Sequence, residues 1–300
     1  MIFDVIGFGA LNLDRLYMVD KIAKSGEERF VTGCVETPGG SAANTIVGLA
    51  RLGQTVGYVG KVGNDPEGDK LVKSLRDERV DTEGIVISKE DHSGIVTGFV
   101  DEKGERTLYV SPGVNDTLDL GEVNRKYIAN TKFIHITSFV GEKPFTVQKK
   151  LLGCLQDVKV SFDPGALYAR KGLVALKPIL RRSYIVFPNE TEIRLITGLN
   201  YEDGAKVLLN EGATIVAVKL GARGCYITDG KQKCLIDAFK VRIVDTTGAG
   251  DAFCAGFLYG LIHERDLQTC GRIANFCAGH KIEKVGAREG LVKIVDLPEI

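Results

Sequence analysis

This sequence predicts an α/β fold, with a doubly wound and mainly parallel sheet flanked by helices. Three observations carry the prediction. Short apolar runs alternate with helical patterns along nearly the whole chain. The runs are apolar at consecutive positions, as strands covered on both faces require. No internal repeat, low-complexity tract or long linker divides the 300 residues, a length that one large α/β domain can hold. We therefore expect a single domain over 1–300.

In chain order, the expected elements are strand 2–8, helix 42–52, strand 55–59, helix 68–76 and strand 133–136. Helix 146–155, strand 158–162, strand 184–187, helix 190–196, helix 205–209 and strand 214–218 follow. Helices 252–262 and 271–282 complete the series. Each strand is a short apolar run, and each helix carries apolar residues at three- and four-residue intervals. In 252–262 these are Phe253, Cys254, Phe257, Leu258 and Leu261. Two stretches, 16–37 and 94–110, have little helical signal. The second reads as a hairpin, 95–100 and 106–110 around the polar turn Asp101-Glu102-Lys103-Gly104, and the first holds a strand over 29–35. They form either a small antiparallel sheet set apart from the main one or simple edge hairpins.

Composition excludes several classes. Lysine plus arginine balance aspartate plus glutamate at 39 each, so no basic field invites nucleic acid or a membrane surface. No apolar run approaches a membrane span, and the start of the chain lacks a basic n-region and cleavage site. The cysteines (Cys34, Cys154, Cys225, Cys234, Cys254, Cys270 and Cys277) are scattered, with no C-x-x-C pair. They read mostly as buried thiols, and a reducing cytoplasm is the expected location. No histidine stands at zinc-ligand spacing, and neither G-x-S-x-G nor the Walker A loop occurs.

The chemistry-bearing motifs lie at strand–loop–helix junctions. Asp245-Thr246-Thr247-Gly248-Ala249-Gly250-Asp251 follows the apolar run 241–244 and enters helix 252–262. Glycines and free amides at a helix start suit a phosphate. A carboxylate there, Asp251, suits a base that takes a proton from an attacking alcohol; the alternative is a helix-start acid. After strand 2–8, Gly7-x-Gly9 resembles half of a dinucleotide turn, but Asn12 replaces the third glycine and no helical pattern follows. Asn12 and Asp14, two apart, share a face of an extended chain and can grip neighbouring hydroxyls, or else stabilise a turn. Gly39-Gly40 leads into a helix bearing Ser41 and Asn44. Asn189 and Glu192 have capping-box spacing at the carboxyl end of strand 184–187. Lys219, Gly221 and Gly224 leave strand 214–218 as a phosphate-bordering loop or a hairpin turn.

The seven-residue string ending at Asp251 resembles the signature of the ribokinase-like (PfkB) sugar kinases. Gly39-Gly40-x-x-x-Asn44 resembles that family's first signature, and both stand in the family's order and separation. The resemblance runs over the full chain. It implies a ribokinase-like fold with a β-lid built from about 14–38 and 94–111, and transfer of the γ-phosphate of ATP to a primary hydroxyl of a sugar or nucleoside. Asp251 is then the base, and the amides of Gly248, Ala249 and Gly250 form the anion hole. Asn12, Asp14, Gly39, Gly40 and Asn44 hold the acceptor, and Arg106 is the lid cation able to join them. Asn189, Lys219, Gly221, Gly224 and Asn275 border the nucleotide, whereas Arg223 falls at a variable position. Glu192 holds Mg²⁺ through water. Asp245 and the Thr247 carbonyl, with carbonyls near Lys284-Val285-Gly286-Ala287, hold K⁺. Lids in this family often pair into homodimers.

Some members place a lysine where Ser41 stands, so the resemblance does not point to ribose itself. The acceptor wall of Asn12, Asp14, Ser41 and Asn44 carries no cation, which favours a neutral sugar or nucleoside over a sugar phosphate. A phosphosugar kinase of the same family, a catalytically silent sugar- or nucleotide-binding regulator, and a dinucleotide-dependent oxidoreductase are the alternatives.

Overall fold

The computed structural model describes residues 2–102 and 104–298, so the predicted turn residue Lys103 lies outside the described residues. From the start, the chain runs β1 (Phe3–Phe8), β2 (Asn12–Val19), β3 (Val31–Gly39), α1 (Ser41–Arg51), β4 (Val56–Gly63), α2 (Pro66–Asp77) and β5 (Asp81–Ser88). Next come β6 (Gly94–Val100), β7 (Arg106–Ser111), α3 (Arg125–Ala129), β8 (Thr131–Ile136), α4 (Glu142–Cys154), β9 (Lys159–Phe162), α5 (Gly165–Ala169) and α6 (Gly172–Leu180). The chain ends with β10 (Ser183–Val186), α7 (Glu190–Thr197), α8 (Tyr201–Asn210), β11 (Ile215–Lys219), β12 (Cys225–Thr228), β13 (Lys233–Ile236), α9 (Ala249–Ile262) and α10 (Leu267–Lys281).

Nine strands form the main sheet in the order β13-β12-β11-β10-β9-β8-β1-β4-β5. All neighbours pair in parallel except β11–β12 and β12–β13. The chain grows outward from β1 in one direction to β5, then crosses back to β8 and grows the other way. The crevice beyond the carboxyl ends of β1 and β8 is therefore the switch point where open α/β sheets bind ligands.

Alternate residues of each strand feed separate cores. Ile215 and Ala217 of β11 join the cluster under α1, α2, α9 and α10, while Val216 and Val218 join the cluster under α4 to α8. Burial on both faces is why these strands are continuous apolar runs. Helix α9 is seated by Phe257, whose ring meets Phe187 edge-on at 5.4 Å. Burying a side chain of that size contributes about 1.5–3 kcal/mol, enough to fix the helix start that carries Asp251.

Four strands form a second sheet, β3-β2-β6-β7. It corrects the expectation of an antiparallel sheet. β2–β3 and β6–β7 are antiparallel, but β2 and β6 pair in parallel. The whole run β3–α1–β4–α2–β5 separates β2 from β6, and a connection of that length permits parallel pairing. The apolar run 241–244 is no strand; Ile243 and Val244 are 62% and 49% exposed.

Candidate active site

Gly248 caps α9 in the left-handed region, φ 79°, and a Cβ on it would lie 2.5 Å from the Ala287 carbonyl oxygen. Only glycine fits both demands. The first bond of the helix runs from the Ala252 N–H to the Gly248 carbonyl. The amides of Gly250 and Asp251 precede it and lack intrahelical acceptors. The Ala249 N–H is turned instead to the Thr246 carbonyl at 3.2 Å. Ala249, one of the three residues expected to offer an amide to an anion, therefore has its N–H already occupied.

Asp251 projects from the first turn of α9 toward α1. Ser41 Oγ donates to its Oδ1 at 2.6 Å and Asn44 Nδ2 to its Oδ2 at 2.8 Å. Burial pushes the Asp251 carboxyl up to about 6, against the pull of these two hydrogen bonds. It therefore ionises near neutrality, the range in which a carboxylate can both hold and release an alcohol proton. Ser41, placed by the sequence in the acceptor wall, is a hydrogen-bond partner of Asp251.

Asn12 and Asp14 sit two apart on β2, as the extended spacing required. The Asn12 Oδ1 accepts from Asn115 Nδ2 at 3.1 Å. Buried Asn115 also exchanges two hydrogen bonds with the Leu11 backbone and so fixes the exit of β1. The Asp14 carboxylate lies against Gly39, where a Cβ would approach Oδ2 to 2.4 Å. Gly40 has φ 104°, and a Cβ there would meet the Ala10 carbonyl at 2.3 Å. The glycine pair thus lets Asp14 and the start of α1 share one wall. Burial pushes Asp14 up to about 7, with Arg288 and Arg106 opposing and Asp251 reinforcing the rise.

The expectation that no cation faces the acceptor wall is corrected by these arginines. Arg288 Nε donates to the Asn44 Oδ1 at 2.9 Å, and its Nη2 is shut from solvent without a partner. Burial pushes its guanidinium down to about 10. Arg106 lies on β7 and points inward: its Nη1 donates to the Thr247 hydroxyl at 2.8 Å.

A second cluster lies beside Gly250 at the start of α9. Lys219 Nζ pairs with the Asp163 Oδ2 at 2.6 Å, and a Cβ on Gly250 would lie 3.4 Å from that ammonium. Burial alone would lower the lysine's affinity for its proton, but Asp163 outweighs it and holds the ammonium above its ordinary value. Glu192 is buried in α7, where the Asn189 capping box is present in full: the Glu192 N–H donates to the Asn189 side chain and the Asn189 N–H to the Glu192 carboxylate. Burial, reinforced by Asp163, raises the Glu192 carboxyl.

Gly221 and Gly224 form the turn between β11 and β12, so this loop is a hairpin connection. Gly224 has φ 84°, and a Cβ there would meet the Ile236 carbonyl at 1.9 Å. Arg223 is tied to Glu190 at 2.6 Å. The Asn275 amide donates to the carbonyls of Ile236 and Asp237, anchoring α10 to the exit of β13.

The Asp245 carboxylate accepts from the Thr247 and Gly286 amides, 2.9 and 2.8 Å. Burial would raise this carboxyl, but those bonds hold it below its ordinary value. Lys281, 0% exposed, donates from Nζ to the carbonyls of Asp245 and Lys284. An ammonium therefore lies among the groups expected to hold K⁺.

Sequence reasoning missed Asn115, Asp163, Lys281 and Arg288. Asp163 had a signal, its place just after strand 158–162 and before Pro164-Gly165. Arg288 lies one residue beyond the run 284–287. Asn115 and Lys281 had none. Among the described residues, no cluster of three or more histidine, cysteine or acidic side chains could hold a metal by itself. No helix among them is long and apolar enough to cross a membrane.

Comparison with known proteins adds to this geometry. A family model described as pfkB family carbohydrate kinase matches residues 3–294. An uncharacterised sugar kinase of Archaeoglobus fulgidus is 44% identical over 253 residues, covering 83% of this chain and all of that protein. The ATP-dependent ribose-1-phosphate kinase of Halopiger xanaduensis is 30% identical over 285 residues, 95% of this chain and 93% of its own. The ribokinase of Arabidopsis thaliana, solved with ribose and ATP, superposes with a TM-score of 0.88 at 21% identity, over 99% of this chain and 98% of that one.

Proposed function

The chain belongs to the pfkB family of carbohydrate kinases, and we propose that it moves the γ-phosphoryl group of ATP to a primary hydroxyl of a neutral sugar or nucleoside. The Asp251 carboxylate carries this reading. It is raised to about 6, fixed by Ser41 and Asn44, and set within one turn of the glycine-capped start of α9.

Asn12 and Asp14 orient the acceptor through neighbouring hydroxyls, so that its primary hydroxyl reaches Asp251. Asp251 accepts the proton as the new O–P bond forms. The amides at the start of α9 face the charge that builds on the transferring group, and the Lys219 ammonium beneath Gly250 adds to their field. Asn44 holds Asp251 on one side and meets Arg288 on the other, so it positions the base as well as the acceptor. Asn189, Gly221, Gly224 and Asn275 border the nucleotide through the loops they fix.

Mg²⁺ fits beside this cluster. Glu192 and Asp163 are hard oxygen donors, close enough that Asp163 helps burial to raise the Glu192 carboxyl. Few carboxylates and several waters are what this ion prefers, so Glu192 would hold it through water. When bound, it would offset the negative charge of the phosphates.

The second sheet acts as a lid within one domain. Closure excludes water, which would otherwise compete with the acceptor. Its exposed apolar residues, among them Val31, Val35, Leu108 and Tyr109, support pairing of two lids in a homodimer.

A second reading is a phosphosugar acceptor. Arg106 and Arg288 favour it, since each could answer an anionic group. Coupled detection of ADP across neutral sugars, nucleosides and phosphosugars tests both readings. A catalytically silent protein would form ADP with none of them.

A further inference from the structure

We infer that Lys281 takes the place of the monovalent cation in this chain, so that the transfer site is completed by a covalently tethered ammonium and needs no K⁺. The inference rests on the reading of 248–251 as the transfer site.

The argument begins with where the lysine sits. It is the last residue of α10 and is 0% exposed. A buried lysine ammonium is unfavourable unless its donors are met. Two acceptors are backbone carbonyls from separate segments, Asp245 at 3.2 Å and Lys284 at 3.1 Å. These segments flank the anion hole. The first leads into Gly248, and the second leads to Ala287, against whose carbonyl Gly248 is pressed. The Asp245 carboxylate ties them again by accepting from the Thr247 and Gly286 amides. Both Val244 and Asp245 donate their amides to the Ile282 carbonyl, just beyond the lysine.

A K⁺ ion would do its work by drawing carbonyls of both segments onto one positive charge. The ammonium already does this. A second cation among the same carbonyls would be repelled by it at close range and would find two of its ligands occupied. The residues present therefore do not fit K⁺, and they fit an internal substitute.

The test compares purified wild type with Lys281→Met in potassium, sodium and choline chlorides at matched ionic strength, reading thermal melting and ADP formation. Wild type should melt at the same temperature and turn over at the same rate in potassium as in choline. Lys281→Met should lose about 10- to 100-fold in kcat, the usual effect of removing a partner that orients a site from behind. Its KM for the acceptor should hold. Potassium, but not choline, should restore part of its rate and raise its melting temperature. Stimulation or stabilisation of wild type by potassium over choline would overturn the inference. So would a Lys281→Met protein that is fully active and indifferent to potassium. If that variant does not fold, Lys281→Gln, which keeps a donor without the charge, replaces it, and the wild-type comparison decides in any case. Absence of ADP formation by wild type with every acceptor would defeat the kinase reading, while the melting arm would still report on the cation.

Discussion

Arg106 and Thr247, 141 residues apart, are joined by a 2.8 Å hydrogen bond from guanidinium to hydroxyl. One lies on β7 of the second sheet, the proposed lid, and the other immediately precedes the glycine that caps α9. The bond ties lid position to the loop on which phosphoryl charge would build. It occupies one donor of a five-donor fork, so the remaining face of the guanidinium can meet an acceptor or a phosphate. Arg106→Ala should raise the acceptor KM and leave the KM for ATP within about twofold. Because the side chain is exposed, stability should stay within about 0.5 kcal/mol. Steady-state kinetics with both substrates varied checks this, and an unchanged acceptor KM would remove the lid link.

Asp251→Asn should keep the fold and lower turnover by roughly 10² to 10⁴, the usual contribution of a positioned base. Stability supplies an internal control. Burial raises this carboxyl from its ordinary value to about 6. The folded protein therefore binds the proton more tightly than the unfolded chain, and the carboxylate detracts from stability increasingly as pH rises toward 6 and stays unfavourable above it. The neutral amide removes that penalty, so the variant should melt no lower than wild type at pH 8. A large loss of melting temperature would assign Asp251 a structural role.

The same shift sets the acid limb of the rate profile. Asp251 must be ionised to accept a proton, and Asp14, raised to about 7, titrates beside it. Each charge disfavours the other, so the two titrate as a pair. The value of kcat/KM should fall as pH drops through the range of about 7 to 6. Asp14→Asn removes one repelling charge and should move the limb to lower pH. A profile flat down to pH 5 would exclude Asp251 as the base.

The parallel core was legible because burial on both faces leaves an unbroken apolar run, as at 214–218. β5 and β13 are hidden in the sequence because Asp81-Thr82-Glu83-Gly84 and Lys233 put polar residues into the two edge strands, and β12 is hidden because it is only four residues long. β2 escaped for a different reason: it turns Asn12 and Asp14 toward the cleft, so function interrupts its apolar pattern. In the site, residues inside local strings could be named from spacing: Asp251, the glycines and the Asn189–Glu192 cap. Partners that arrive from remote segments could not. Arg288 meets Asn44 across 244 residues and Asn115 meets Leu11 across 104. No periodicity or spacing encodes such meetings, because the sheet order brings them together.

Arg288 decides the last question, the charge of the acceptor. Two carboxylates, Asp14 and Asp251, face two guanidiniums, Arg106 and Arg288, so the wall no longer repels an anion as its carboxylates alone would. Position separates the roles. Arg288 Nε is held by Asn44, and its charge acts on Asp14, which places it behind the wall as a brace. A brace should affect every acceptor alike, whereas a phosphate ligand should affect only charged ones. We expect neutral sugars or nucleosides to give the higher kcat/KM, and Arg288→Gln to lower it by a similar factor for neutral and phosphorylated acceptors. The lost charge should also raise the Asp14 carboxyl further and shift the acid limb upward. A selective loss of phosphosugar turnover, from a wild type that prefers phosphosugars by a large margin, would make Arg288 the phosphate ligand and reverse the assignment of the acceptor.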